Sequence, residues 1–355
     1  MKNGSLGWVF FCFFVLGIGF WSLHDSAMAG SQSDKGTSTP EKADFTPFEY
    51  RISGPHTHKN LSVYLFHGKD RHPGKSFLTL SEALEQNKAV VYETENVSEL
   101  AVENFASEEE IFIQAGEIVK GGKQDRVIAV SLIVPAKSGK VPIASFCVEQ
   151  GRWRPRGNES SQDFKTSSKY LSSKELKLAA KHSKSQQEVW TQVSELQTKL
   201  GSNLGKSVRS AQSTSSLQLT LDDEEVKDAA QEYQDQFSQT VRKYDDLIGY
   251  AFAINGELNS ADLYASRALF KKLWPKLLEA SAAEAFANLE KEKSYATPTV
   301  EDLENWLKKA REGKAKSRRV TDRVHSQVRE SDENVVYGTV DWQLNDVIHL
   351  GYIGY

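Results

Sequence analysis

Between Glu49 and Glu149 apolar residues come in short bursts, each closed by polar or glycine-containing turns. The bursts are "LSVYLF", "AVVYET", "ELAVENF", "EIFIQAG", "RVIAVSLIV" and "PIASFCVE". Their length and their Val, Ile, Phe and Tyr content predict strands. One helix interrupts them, with Ser81 as the cap of "EALEQN" and Glu82 near the positive end of its dipole. Arg126 to Val134 is apolar at both parities, which predicts one central strand covered on both faces. Residues 154–169 carry almost no apolar side chains and read as a loop over whatever the strands enclose.

The period then changes. Val189, Val193, Leu196 and Leu200 recur at helical spacing, with Gly201 as the stop. "SVRSAQSTSSLQL" reads as a polar linker, and "DDEEVKDAAQEYQDQFSQTVRKYDDL" as a helix with an acidic first turn. "LIGYAFAING" predicts a strand ending in an Asn255-Gly256 turn. The stretch from Asn259 to Glu290 predicts an amphipathic helix, with Phe270, Leu273, Trp274, Leu277 and Leu278 inward and Pro275 kinking or breaking it. Thr299 and Asp302 stand at capping-box spacing, and Gly313 ends that helix. Three alternating segments close the chain.

Strands, then helices, then strands argue for an α+β fold. A β-rich part (48–155) and a mainly helical part (170–313), packed to one side, would be completed by strands of 317–355 returning to the sheet. Residues 48–355 are expected to form a single domain.

The first 29 residues read as an export signal. Lys2 precedes the apolar run Leu6–Leu23, and Ala27-Met28-Ala29 offers a cleavage signature. Residues 30–47 would be a flexible polar tether, and the folded body periplasmic or extracellular. The alternative is an uncleaved inner-membrane anchor at residues 6–23. Membrane contact is expected through that segment alone. Of the two cysteines, Cys12 lies inside the signal, so a mature chain holding Cys147 alone would have no internal disulfide. A net charge of −4 over 355 residues supplies no global field for nucleic acid.

Candidate chemistry gathers in "AGEIVKGGKQDRVIAVSLIVPA". Gly116, Gly121 and Gly122 permit positive φ and close approach. Gln124 and Arg126 would share one strand face, and Glu117 on the other arm of the turn could face them. A carboxylate, an amide and a guanidinium converging in this way suit an oxygen-rich ligand. The same residues could equally make a solvated hairpin. In "VEQGRWRPRG", Glu149 ends a strand, Gly151 allows a sharp exit, and Arg152, Trp153, Arg154 and Arg156 follow. If the two strands are neighbours, Glu117 and Glu149 among arginines could do acid–base work. Alternatively the arginines take phosphate and Trp153 stacks on a base or simply walls the site. His56, His58, His67 and His72 form a weaker group. No acidic residue completes a ligand set for them, so no metal is assigned. P-loop, GxSxG, HExxH and GxGxxG signatures are absent, and no cofactor is implied.

The order "NLSVYLF", "FLTLSEALEQNKAVVYET", "ELAVENFASEEEIFIQAGEIVKGGKQDRVIAVSLIVPA", "IASFCVEQGRW", "IGYAFAINGE" resembles the ARG and rhodanese-phosphatase-superfamily-associated protein domain. Here ARG denotes ADP-ribosylglycohydrolase. The resemblance runs from about Phe48 to the C-terminus and is tightest from Asn60 to Trp153. It implies a role linked to ADP-ribose or nucleotide metabolism. The polar positions of the family motif fall on Glu117, Gly121, Gln124, Arg126, Glu149, Gly151, Arg152 and Trp153, with Asp125 where Asn is usual. Two functions are therefore expected. In one, a polar pocket binds or hydrolyses an oxygen-rich or phosphorylated small molecule, ADP-ribose-like or nucleotide-like as the resemblance implies. Its acid–base group or ribose holder would be Glu117, with Glu149 beside it, Arg126 and Arg152 on the anion, and Gln124 orienting. In the other, the chain is a non-catalytic cell-envelope interaction module.

Overall fold

The computed structural model describes residues 48–157 and 159–355, with the side chains of 166–170 outside that description. The expected signal and tether (residues 1–47) lie outside the described residues.

The chain opens with strands β1 (Tyr50–His58), β2 (Leu61–Gly68) and β3 (Phe77–Thr79) and helix α1 (Leu80–Glu85). Next come β4 (Ala89–Glu93), β5 (Glu99–Asn104), β6 (Glu110–Ile113) and β7 (Glu117–Gly121). After these run β8 (Arg126–Ile128), β9 (Leu132–Val134), β10 (Lys140–Cys147) and β11 (Asp163–Leu171). The helical middle holds α2 (Lys174–Leu178), a π-helical turn (Ala179–Ser183), α3 (Gln186–Leu204), α4 (Leu217–Leu221) and α5 (Glu224–Arg242). Strands β12 (Leu247–Ile254) and β13 (Glu257–Tyr264) then precede helices α6 (Arg267–Ala287) and α7 (Val300–Glu312). The last strands are β14 (Lys316–Arg319), β15 (Val324–Glu330), β16 (Asn334–Asp341) and β17 (Asp346–Gly354).

The fold is mixed α+β, and its C-terminal strands do return to the N-terminal sheet. That sheet has eight antiparallel strands in the order β1-β2-β12-β13-β17-β16-β15-β14. Alternation along β2 assigns its two faces. Leu61, Val63 and Leu65 join a core with α3, α5 and α6, whereas Tyr64 and Phe66 join the core under α7. Coverage on both sides explains why all eight residues of β12 are buried.

Six other strands close a barrel, β10-β5-β4-β11-β7-β8, and β3-β6-β9 form a small third sheet. The expected single strand from Arg126 to Val134 is thus two, divided between barrel and third sheet. The break is held where Ser131 Oγ accepts from the Ala115 N–H (2.9 Å) and the Ile128 carbonyl from the Gly116 N–H (2.8 Å). Nor is 154–169 all loop, because β11 closes the barrel. Phe164, the one buried aromatic there, pairs with both Val91 and Gly121. Positive φ is required at the β7–β8 turn, where Gly121 and Gly122 have φ of 127° and 55°. A Cβ at Gly122 would fall 2.3 Å from the Phe164 ring, so packing also forbids one.

Local details shift for physical reasons. Thr79, not Ser81, caps α1, in a capping box with Glu82. Helix α3 passes through Gly201 and ends at Gly205, which takes the left-handed conformation. The expected linker before α5 contains α4, whose Leu217 and Leu221 are buried. Asn259–Tyr264 is strand rather than helix, with Ser266 capping α6 behind it. Helix α6 continues through Pro275, which lies on its exposed side, where water can take the Lys271 carbonyl that the ring leaves unbonded.

Candidate functional site

Strand β8 lies between β7 and β10, so the two arms that carry the candidate residues are neighbours. At this mouth of the barrel three carboxylates (Glu93, Asp125, Glu149) meet three guanidiniums (Arg126, Arg152, Arg156). Asp125, Arg126 and Glu149 have no exposed surface. Arg126 lies 3.4 Å from each Glu93 carboxylate oxygen, donates to Gln124 Oε1 at 3.3 Å, and also reaches Cys147 Sγ. Gln124 in turn donates to the Glu149 carbonyl (2.8 Å). Arg152 donates to Glu149 Oε2 (2.5 Å) and lies 3.4 Å from Asp125 Oδ1. Arg156 donates to Asp125 Oδ1 (2.9 Å) and to Ser216 Oγ (2.8 Å). Buried charges survive only in such matched sets, because each ion alone costs several kcal/mol to desolvate.

The match is imperfect in an informative way. Asp125 Oδ2, Glu149 Oε1 and Arg126 Nε are buried without a hydrogen-bond partner. Burial, reinforced by the charge of Glu149, pushes the Asp125 carboxyl up to about 6, against Arg156, the Gly121 N–H and Arg152. Burial also raises the Cys147 thiol although Arg126 opposes it, which favours the inert form.

Above the cluster, Gln150–Gly157 and Ala211–Ser215 border an open cleft of about 1030 Å3. Gly151 makes the turn into it with φ 82° and open space around its Cα. Trp153 is 51% exposed, and its ring lies 5.9 Å from Lys123 Nζ and 6.0 Å from the Arg126 guanidinium. Arg154 is exposed, and its guanidinium has no ion pair among the described residues. A rim aromatic beside a free guanidinium, with further guanidiniums fixed below, suits a planar, anionic, oxygen-rich ligand.

The structure brings Gln124, Arg126, Glu149, Arg152 and Trp153 together. It adds Glu93 and Asp125, to which the sequence reading gave no role in the site, and places Arg156 of the arginine run beside them. Asp125 carried a signal, as an acid inside a Gly-rich turn, while Glu93 is 33 residues upstream of Arg126 in number and joined to it by the barrel alone. Gly121 serves the turn, where its N–H donates to Asp125 Oδ1 (3.1 Å).

Glu117 is elsewhere. Expected to face Gln124 and Arg126, it instead accepts from Lys276 Nζ on α6 (2.7 Å) and from the Gln114 N–H (2.9 Å). Arg126 is already engaged by Glu93, and Glu149 by Arg152, so the two proposed acids serve different networks. Near Glu117 runs a second buried network that sequence reading missed. Gln114 donates to Asp262 Oδ1 (3.1 Å), Tyr264 donates to Gln114 Oε1 (2.7 Å), and His349 Nε2 is 2.7 Å from Asp262 Oδ1. Burial is the strongest influence and works to raise Asp262, but the bond and charge of His349 together with Lys177 and Lys181 outweigh it and hold the carboxyl below its ordinary value. Farther along α6, burial and the Glu175 charge push Glu284 up to about 7, although Asn259 donates to it at 2.6 Å. The available signal was a charged residue at an inward parity of an otherwise apolar strand, as in "SADLY" and "VIHLG".

The four histidines keep separate company. His67 bonds Ser53 and Asp246 (2.7 and 2.8 Å), His72 lies 2.9 Å from Asp346, and His58 lies 3.7 Å from Glu232. Burial and Lys243 lower His56. Among the described residues no group of three His, Cys, Asp or Glu side chains is placed to share a metal. No helix of the described residues is long and apolar enough to cross a membrane.

The sequence matches the ARG and Rhodanese-Phosphatase-superfamily-associated Protein domain over residues 49–353, and the chain belongs to that family. No curated protein and no solved structure matches it.

Proposed function

We propose that the cleft over the barrel mouth binds an oxygen-rich, phosphorylated small molecule of ADP-ribose or nucleotide type. The observation that carries this reading is the arginine set. Buried carboxylates hold Arg126, Arg152 and Arg156 at fixed positions, and this preorganisation lowers the entropy cost of gripping an anion. Arg154 and Trp153 supply the exposed contacts, an anion clasp and a stacking wall. The oxygens of Asp125 and Glu149 that lack hydrogen-bond partners suit ligand hydroxyls. For hydrolysis the proton-transfer group is Asp125, whose carboxyl is pushed up to about 6. Glu149, clamped by Arg152, orients. Glu117 takes no part.

The chain from Gly30 onward, titrated with ADP-ribose, tests the reading. At a hundred times the dissociation constant, binding adds about 2.7 kcal/mol of stability. The thermal shift should vanish in Arg154→Ala and Trp153→Ala. No shift with ADP-ribose, nucleotides or sugar phosphates would sink this reading and leave the envelope interaction module. Residues 1–29 are read in the same proposal as an export signal. The mass of the mature N-terminus tests that, with a start at Gly30 expected and an intact Met1 against it.

A further inference from the structure

A second recess, of about 470 Å3, is bordered by Lys181, His182, Lys184, Lys316, Arg318 and Tyr337. One carboxylate lines it, Glu330, which lies 3.6 Å from Lys316. Among the described residues Lys181, Lys184 and Arg318 have no ion-pair partner. Lys181 Nζ sits 3.9 Å from the centroid of the Tyr337 ring. It is carried by the π-helical turn, and Lys184 follows in the left-handed conformation with φ 53°. Such π-turns widen a helix locally and recur at functional sites.

The electrostatics reflect this crowding of cations around a single lining carboxylate. Burial, with Lys177 and Arg318 adding repulsion, pushes Lys181 down to about 7 even though Asp262 pulls the other way. Burial and Arg318 also lower Lys184. Basic residues on β14 alone have a plain explanation, because β14 is the outer strand of the large sheet and charge there deters edge pairing. That explanation does not reach Lys181 and Lys184, which come from a different element and face the same space. Holding three like charges around one recess costs stability that an anion would return.

We propose that this recess is a binding site for a small phosphate-bearing anion, gripped by Lys181, Lys184 and Arg318. Ser317 and Ser326 also line it and can donate hydroxyl hydrogen bonds. Its volume falls in the range of small-molecule sites. The chain's net charge of −4 argues for a compact anion over nucleic acid, which needs a field along an extended surface. None of the residues of the barrel-mouth cleft takes part, so the two sites stand or fall separately.

Titration calorimetry of the full chain with inorganic pyrophosphate is the test. Lys184→Ala combined with Arg318→Ala alters two exposed residues, so folding should persist while affinity falls by about tenfold or more, about 1.4 kcal/mol. Lys181→Met should do the same. Lys308→Ala, on α7 and outside both recesses, should leave pyrophosphate affinity unchanged. Equal losses in Lys308→Ala would mean general surface electrostatics and overturn the proposal. So would an unchanged affinity in the double variant, an absence of binding at concentrations on the order of millimolar, or tighter binding of a single-stranded oligonucleotide than of pyrophosphate.

Discussion

Two buried charge networks lie within this fold, and they are built differently. The barrel-mouth set draws mainly on two short stretches, 124–126 and 149–156, and places three guanidiniums against three carboxylates below an open cleft. The core network around Asp262 draws one or two residues each from β7, β13, β17, α6 and the turn before β7, with a cavity of about 20 Å3 beside it. That is room for about one water. Arginine, always charged and able to hold two carboxylates at once, suits a site that must stay ionic near solvent. Lysine, histidine and amide groups suit an interior where each bond is single and the geometry is closed. The comparison teaches that local density of charge in sequence marks the surface-facing site, while the structural network is scattered.

The largest expected effect separates pairing from mere burial. Lys276→Met alone should cost about 3–5 kcal/mol, because Glu117 is then a buried, unpaired charge. Glu117→Leu combined with Lys276→Met should regain most of that loss in urea unfolding. If the double variant is as unstable as the single, the ion pair is not what holds α6 against β7. Next, Gly122→Ala should cost about 1–3 kcal/mol, through overlap with Phe164 and the left-handed backbone. Its chevron or melting curve should show a shift with no change of cooperativity.

The pH dependence of Asp125 comes third. Its folded carboxyl, at about 6, lies above its ordinary 3.8, so the folded state holds the proton more tightly than the unfolded one. Its contribution to stability is therefore fully present below pH about 4 and is lost as pH rises to about 6, for a change of about 2–3 kcal/mol. Asp125→Asn should flatten that part of the stability–pH curve. A wild-type curve rising through this window, with the variant parallel to it, would remove Asp125 from the titrating set. The smallest effect is on stability in Trp153→Ala, expected within about 0.5 kcal/mol because the ring is half exposed. Loss of ADP-ribose stabilisation in the same variant would then be a binding effect alone.

Much of the architecture was legible because period and punctuation agreed with the fold. The bursts up to Glu149 are strands, Thr299 with Asp302 caps α7, and the three closing segments are β15, β16 and β17. What misled was composition overruled by tertiary partners. Asn259–Tyr264 has helix-compatible residues yet is strand, since β12 and β17 lie ready on both sides of it. Strand β11 carries few apolar residues and is recruited by the gap between β4 and β7. The site was half legible. Residues 124–126 and 149–156 meet as their spacing suggested, but the partner of Glu117 is 159 positions away on α6. No local pattern points across such a distance.

Strand β17 lies between β13 and β16, an interior slat of the eight-stranded sheet. Through it β14, β15 and β16 join the ladder of the other strands, with α7, packed on β15, β16 and β1, as their second bridge. Removing residues 346–355 should therefore abolish folding outright rather than fray an edge.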